Sequence, residues 1–102
     1  MIVVTNRIAV ARGQEAAFEA RFQGRAGLVE RRPGFRGFQL LRPIQAEHYL
    51  VMTWWDSEAD FRAWTESPEF AEAHRHRPPR ELFAGPNVFE LHEVIQRVDP
   101  PR

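Results

Sequence analysis

The run Leu50-Val51-Met52-Thr53-Trp54-Trp55 is apolar at nearly every position, so a strand made from it shows hydrophobic side chains to both faces of its sheet. With 102 residues the chain has material for one domain and one core, burying roughly two thirds of its unfolded surface. Both faces of that strand must therefore be covered by a small amount of chain.

The rest of the pattern says what covers one of them. Residues 2–10 alternate, with Ile2, Val4, Asn6, Ile8 and Val10 on one side and Val3, Thr5, Arg7 and Ala9 on the other, which is the period of a strand. Asn6 is the polar exception on the apolar side. Ala17, Phe18, Phe22, Arg25, Ala26 and Val29 recur at helical spacing and Arg31-Arg32-Pro33-Gly34 supplies a cationic last turn and a stop, predicting a helix over 14–31. Residues 35–42 and 48–55 read as two strands joined by the loop 43–47. Ser57-Glu58-Ala59-Asp60 is a capping-box start, and Ser67-Pro68 is a second N-cap with proline at the first helical position, so the second helix is predicted in two pieces, 57–65 and 68–76. The Pro- and Gly-bearing stretch 78–86, expected to be the most mobile loop, leads into a last strand over 87–97.

The order βαββαβ is that of an α+β ferredoxin-like fold, a four-stranded antiparallel sheet with both helices on one side. The opposite face is left bare and strongly apolar. Such a patch marks an interface, and the expectation is a homodimer packed sheet against sheet.

Composition removes several function classes. Fourteen cationic residues balance fourteen acidic ones, which denies the chain the basic footprint of a nucleic-acid binder. All fourteen are arginine, so Schiff-base and P-loop lysine chemistry is excluded. The lack of cysteine excludes disulfides, thiolate catalysis and iron–sulfur ligation. Met1 runs straight into Ile2-Val3-Val4 with neither a signal segment nor a membrane-length apolar span, and the expected setting is cytoplasmic, away from membranes. The two serines, Ser57 and Ser67, sit at helix caps, and no hydrolase triad or phosphate loop is present.

Asn6, Trp64 and His74 stand out as chemistry. Phe61, Trp64, Phe70 and His74 are spaced to share one inward side of the broken helix; such a stripe is also what an ordinary core looks like, and a histidine at a helix end is also a good partner for the helix dipole. Asn6 in a strand interior costs roughly 1–3 kcal/mol if buried without partners, unless a neighbouring backbone group satisfies it. His74 and His76 are two apart, pointing in nearly opposite directions on a helix, so they do not share a zinc ion. His48 and His92 are lone strand histidines. Gly24 and Gly27 are expected to let the first helix pack closely on the sheet, the alternative being room for a flat ligand, and Arg21, Arg25, Arg75, Arg77 and Arg80 are expected to be a solvated rim, though a dicarboxylate ligand would need such partners.

The segments Pro33 to Pro43, Trp54 to Trp64 and Ala73-His74-Arg75-His76 resemble the antibiotic biosynthesis monooxygenase superfamily, and within it the IsdG-type heme-degrading monooxygenases of the mycobacterial branch. The similarity spans nearly the whole chain, which is expected to be a single domain of that type over 1–102, dimerising into an α/β barrel. It departs from the family at Gly24 and Gly27, where relatives carry alanine or larger residues. The resemblance implies heme as both substrate and cofactor, with His74 as axial ligand of the iron, Asn6 hydrogen-bonding dioxygen on the opposite side, and Trp64 pressing the porphyrin out of plane. Phe22, Arg25 and Phe70 complete the expected heme-binding wall. The implied reaction opens the ring to a linear tetrapyrrole and frees the iron, with electrons from an external reductase or reductant. Two rivals stand beside it: a cofactor-free monooxygenase acting on an aromatic polyketide or quinol, and a non-catalytic heme carrier.

Overall fold

A computed structural model describes residues 1–23 and 27–102. Strands β1 (Ile2–Ile8), β2 (Phe35–Leu41), β3 (Tyr49–Trp55) and β4 (Val88–Glu93) form one antiparallel sheet in the order β2-β3-β1-β4. With helices α1 (Glu15–Ala20), α2 (Glu58–Thr65) and α3 (Pro68–Ala73), this is the ferredoxin-like arrangement the sequence pattern predicts, with α2 and α3 as the two pieces of the broken helix. Among the described residues no helix is long and apolar enough to cross a membrane.

Alternation along the strands decides what each face does. On β1, Val4 and Ile8 are buried and pair with Thr53 and Tyr49 of β3, and Ile2 pairs with Trp55, which is fully buried. Phe61 and Trp64 lie three apart on α2, one side of a helix, and both enter the cluster formed by Val4, Val29 and Trp55. Phe18 of α1 enters a separate cluster with Ile8 and Tyr49. Burying each such large side chain is worth roughly 1.5–3 kcal/mol, so these two clusters, far more than the exposed ion pairs, hold the helices down.

Both N-caps form as their sequences ask. Ser57 Oγ accepts from the Asp60 N–H at 3.2 Å, and Ser67 Oγ accepts from the Phe70 N–H at 3.2 Å while donating to the Trp64 carbonyl at 2.7 Å. That last bond ties the end of α2 to the start of α3 across the break.

The structure corrects the first helix. It does not run over 14–31: α1 ends at Ala20, and Val29–Arg31 is a separate 3-10 turn. Gly27 adopts a positive φ of 71°, which a continuing right-handed helix cannot contain, so this glycine turns the chain and does not serve close packing on the sheet. Gly24 lies outside the described residues. The last strand is shorter than predicted, ending at Glu93 and leaving Ile95 and Val98 exposed. The stretch 78–86, expected to be the most mobile loop, contains a short structured turn. Leu82 is buried in a 3-10 turn at Arg80–Leu82, its carbonyl accepts from the Ala11 N–H at 2.7 Å, and Val10 bridges Phe83.

Two stability predictions follow from these contacts. Gly34 has φ of 81°, and a Cβ there would lie 2.7 Å from the Asp60 Cβ, inside the capping box that starts α2. Gly34→Ala combines left-handed backbone strain with that clash and is expected to destabilise by about 2 kcal/mol or more in denaturant unfolding; an unchanged midpoint would contradict it. The Glu19 carboxylate accepts from Arg42 Nε at 2.8 Å and from the Tyr49 hydroxyl, and these bonds hold its pKa down to about 2 from an ordinary 4.5. A depressed folded-state value means the contribution is complete above about pH 4.5 and disappears as pH falls through about 2. Glu19→Gln should therefore be less stable at neutral pH and show a flatter stability profile between those pH values; parallel profiles for the two proteins would refute this.

Candidate active site

The two apolar clusters leave a seam between them on the helix-facing side of the sheet, and Asn6 sits on it. Along β1, Val4 belongs to the first cluster and Ile8 to the second; Asn6 is the residue between them on the same face. Across the sheet it pairs with Val51 of β3 and Phe89 of β4. Its Oδ1 is shut away from solvent with no hydrogen-bond partner, and its amide makes no bond to another described side chain or backbone group. The neighbouring backbone that might have satisfied it does not. Next to it on the same face, Phe89 and Leu91 are 60% and 36% exposed, extending the seam into an open apolar shelf.

One wall of the seam is a row of rings. Trp64, 6% exposed, meets Phe70 edge-on at 5.4 Å between centroids, and Phe70 stacks on the His74 imidazole at 4.0 Å with 29° between planes. His74 is the C-cap of α3, and its Nδ1 lies 2.8 Å from the Phe70 carbonyl. A carbonyl oxygen can only accept, so Nδ1 carries the proton and donates. In the neutral ring Nε2 then keeps its lone pair, the tautomer a metal ligand requires. His74 is exposed, in contrast to Trp64 and Phe61, so the predicted inward stripe runs from a buried start to a solvent-facing end. Among the described residues no group of three or more His, Cys, Asp or Glu side chains could hold a bare metal ion. A metal reaching His74 must bring most of its ligands with it.

The opposite wall is α1. Phe22, half-buried just beyond its end, packs edge-on against Phe18 at 5.2 Å and faces Phe38 at 6.3 Å, within the second cluster. It does not touch Trp64, Phe70 or His74 through any ring contact. Arg25 lies outside the described residues. Arg21 Nη2 donates to the His76 carbonyl at 2.7 Å, a bond from the α1 side to the segment after α3 that sequence spacing gave no means of foreseeing. Two cavities, of about 470 Å³ beside Trp54 and Arg97 and about 380 Å³ beside Glu19 and Tyr49, are lined by none of Asn6, Trp64, Phe70 and His74.

The residues present suit a porphyrin-borne metal: one imidazole with a directed free nitrogen, a row of aromatic rings, an apolar shelf and one unpartnered amide. The family model for antibiotic biosynthesis monooxygenase matches residues 1–76. The chain is 40% identical over 95 residues to a mycobilin-producing heme oxygenase of Mycobacterium tuberculosis, covering 92% of this chain and 90% of that one. It is 41% identical over 91 residues to a staphylobilin-producing heme oxygenase of Staphylococcus haemolyticus, covering 86% of each. The structure of the heme-degrader MhuD from Mycobacterium tuberculosis, with two hemes bound in its active site, superposes with a TM-score of 0.82 at 39% identity, over 97% of this chain and 100% of that one.

The orphaned amide yields a prediction that needs no ligand. Asn6→Leu replaces an unpartnered buried carbonyl by an apolar group of similar shape between two apolar clusters, and should raise stability by about 1 kcal/mol or more. Thermal or denaturant unfolding measures it, and a destabilised variant would show the amide to be satisfied.

Proposed function

The chain belongs to the antibiotic biosynthesis monooxygenase family, and from that premise we propose that it is a heme-degrading monooxygenase, opening the porphyrin ring oxidatively to a linear tetrapyrrole and releasing the iron. The observation that carries this reading is the His74 imidazole, its Nδ1 committed to the Phe70 carbonyl and its Nε2 left for a metal, at the mouth of a seam that holds the unpartnered Asn6 carbonyl. Relatives named for this activity support it.

When bound, the heme supplies both the redox-active iron and the carbon skeleton that is oxidised. His74 would hold the iron through Nε2, and the Phe70 carbonyl keeps the ring in the ligating tautomer. Asn6 would offer its amide as a hydrogen-bonding group within an apolar surround where such a bond is strengthened by the scarcity of water. Trp64, fixed edge-on by Phe70 and packed into the first cluster, would give the ligand a rigid aromatic surface. Phe22 would complete the wall on the α1 side. Dioxygen and an external reductant are the co-substrates, in a cytoplasmic setting. β4, beyond the family-matched residues, contributes Phe89 and Leu91 to the shelf, so the functional unit is the single domain 1–102. On the outer face of the sheet Val3, Leu50, Met52 and Trp54 remain only half-buried, and a second copy packed sheet against sheet covers them.

A hemin titration followed by reduction with ascorbate in air tests the reading. Wild type should shift the Soret band on binding, then lose it as a linear tetrapyrrole appears and iron becomes available to a ferrous chelator. His74→Ala should bind hemin at least about tenfold more weakly, roughly 1.4 kcal/mol, and fail to turn over. Identical hemin spectra for the two proteins would overturn the assignment; a Soret band that survives reduction would leave only a carrier.

A further inference from the structure

α3 is a weak platform for a ligand. It has six residues, none of them buried, and a helix this short has little stability of its own. What fastens it lies at its start: the Ser67 cap, the Arg32–Glu69 ion pair at 3.9 Å and the packing of Phe70 on Trp64. His74 is at the other end, and every residue from Ala71 to Glu81 is exposed until Leu82 returns to the core. Among the described residues, the one side-chain hydrogen bond or ion pair that ties 71–81 to another element is Arg21 Nη2 to the His76 carbonyl, at 2.7 Å and 55 positions apart in sequence.

The geometry points to Arg21 as a positioning residue for His74. Its guanidinium, anchored at the end of α1, clasps the backbone two residues beyond the imidazole. A charge-assisted bond of this kind is stronger than one between neutral groups, and it spans the seam from the α1 wall to the α3 wall. Phe70 orients the ring within its own turn; Arg21 fixes where that turn stands relative to the sheet. Without the clasp the segment carrying the ligand is held only at its two ends, by Phe70 and by Leu82, and the cost of ordering what lies between falls on heme binding, as a reduced fraction of binding-competent protein. Arg21 touches no reacting atom in this scheme. The inference rests on the heme-degrading reading for its functional consequence, while the clasp itself is a property of the free protein.

Hydrogen exchange on the ligand-free protein reads the clasp directly. Arg21→Ala should speed exchange of the amides from His74 to Arg80 by about tenfold and leave those of α2 unchanged, whereas Arg21→Lys, which keeps a cationic donor, should restore much of the protection. Exchange in Arg21→Ala equal to wild type would overturn the inference. Hemin titration then separates the two ideas: the alanine variant should bind about tenfold more weakly with the lysine variant closer to wild type. Equal affinity for wild type and Arg21→Ala would overturn the positioning role alone, and a wild type that ignores hemin would overturn the functional reading on which it rests.

Discussion

The two apolar clusters on the helix-facing side of the sheet do not merge, and the residue that separates them on β1 is an amide. An aliphatic side chain at that place would join Val4 to Ile8 in one continuous core and remove a buried carbonyl that costs about 1–3 kcal/mol when left without a partner. The chain forgoes that gain. Its helical layer is correspondingly in two parts, α1 over Ile8 and Tyr49, α2 with α3 over Val4 and Trp55, and Asn6 lies between the parts.

The wall that carries the imidazole is the least embedded part of that layer. Two readings of a histidine at a helix end, dipole partner and metal ligand, turn out to be compatible. Nδ1–H donates to the Phe70 carbonyl, which also accepts the His74 backbone N–H, and the same bond directs Nε2 outward. Exposure of His74 therefore does not count against ligation; it leaves the ring accessible to a large guest.

β4 is the edge of the sheet and shows what the fold leaves unfinished. Its helix-side residues Phe89 and Leu91 lie beyond the reach of α2 and α3, and Val88 on the opposite side is 47% exposed. Apolar side chains are therefore bare on both faces of this one edge strand. The ion pairs, including Arg36–Asp56 and Arg62–Glu58, lie on the surface, where such pairs contribute little, and neither surface depends on them.

Much of this was legible in the order of residues, because period, caps and turn chemistry are local properties. Strand alternation placed Asn6 on the apolar face, and Ser57 and Ser67 located the helix starts and the break between them. The extent of the first helix was not legible, since helical spacing in 14–31 could not reveal that Gly27 would take a left-handed backbone, and neither was the anchoring of 78–86 through Leu82, which depends on a partner seventy residues away. The composition and pattern by themselves determined a one-sided helical cover, a doubly apolar β3 and a polar intruder in β1, since these need nothing beyond neighbours along the chain. Only the tertiary structure decided that the intruder finds no partner, that Phe70 sets the tautomer of His74, and that Arg21 reaches His76, because each is a distance between groups that the sequence separates or a direction that spacing does not specify.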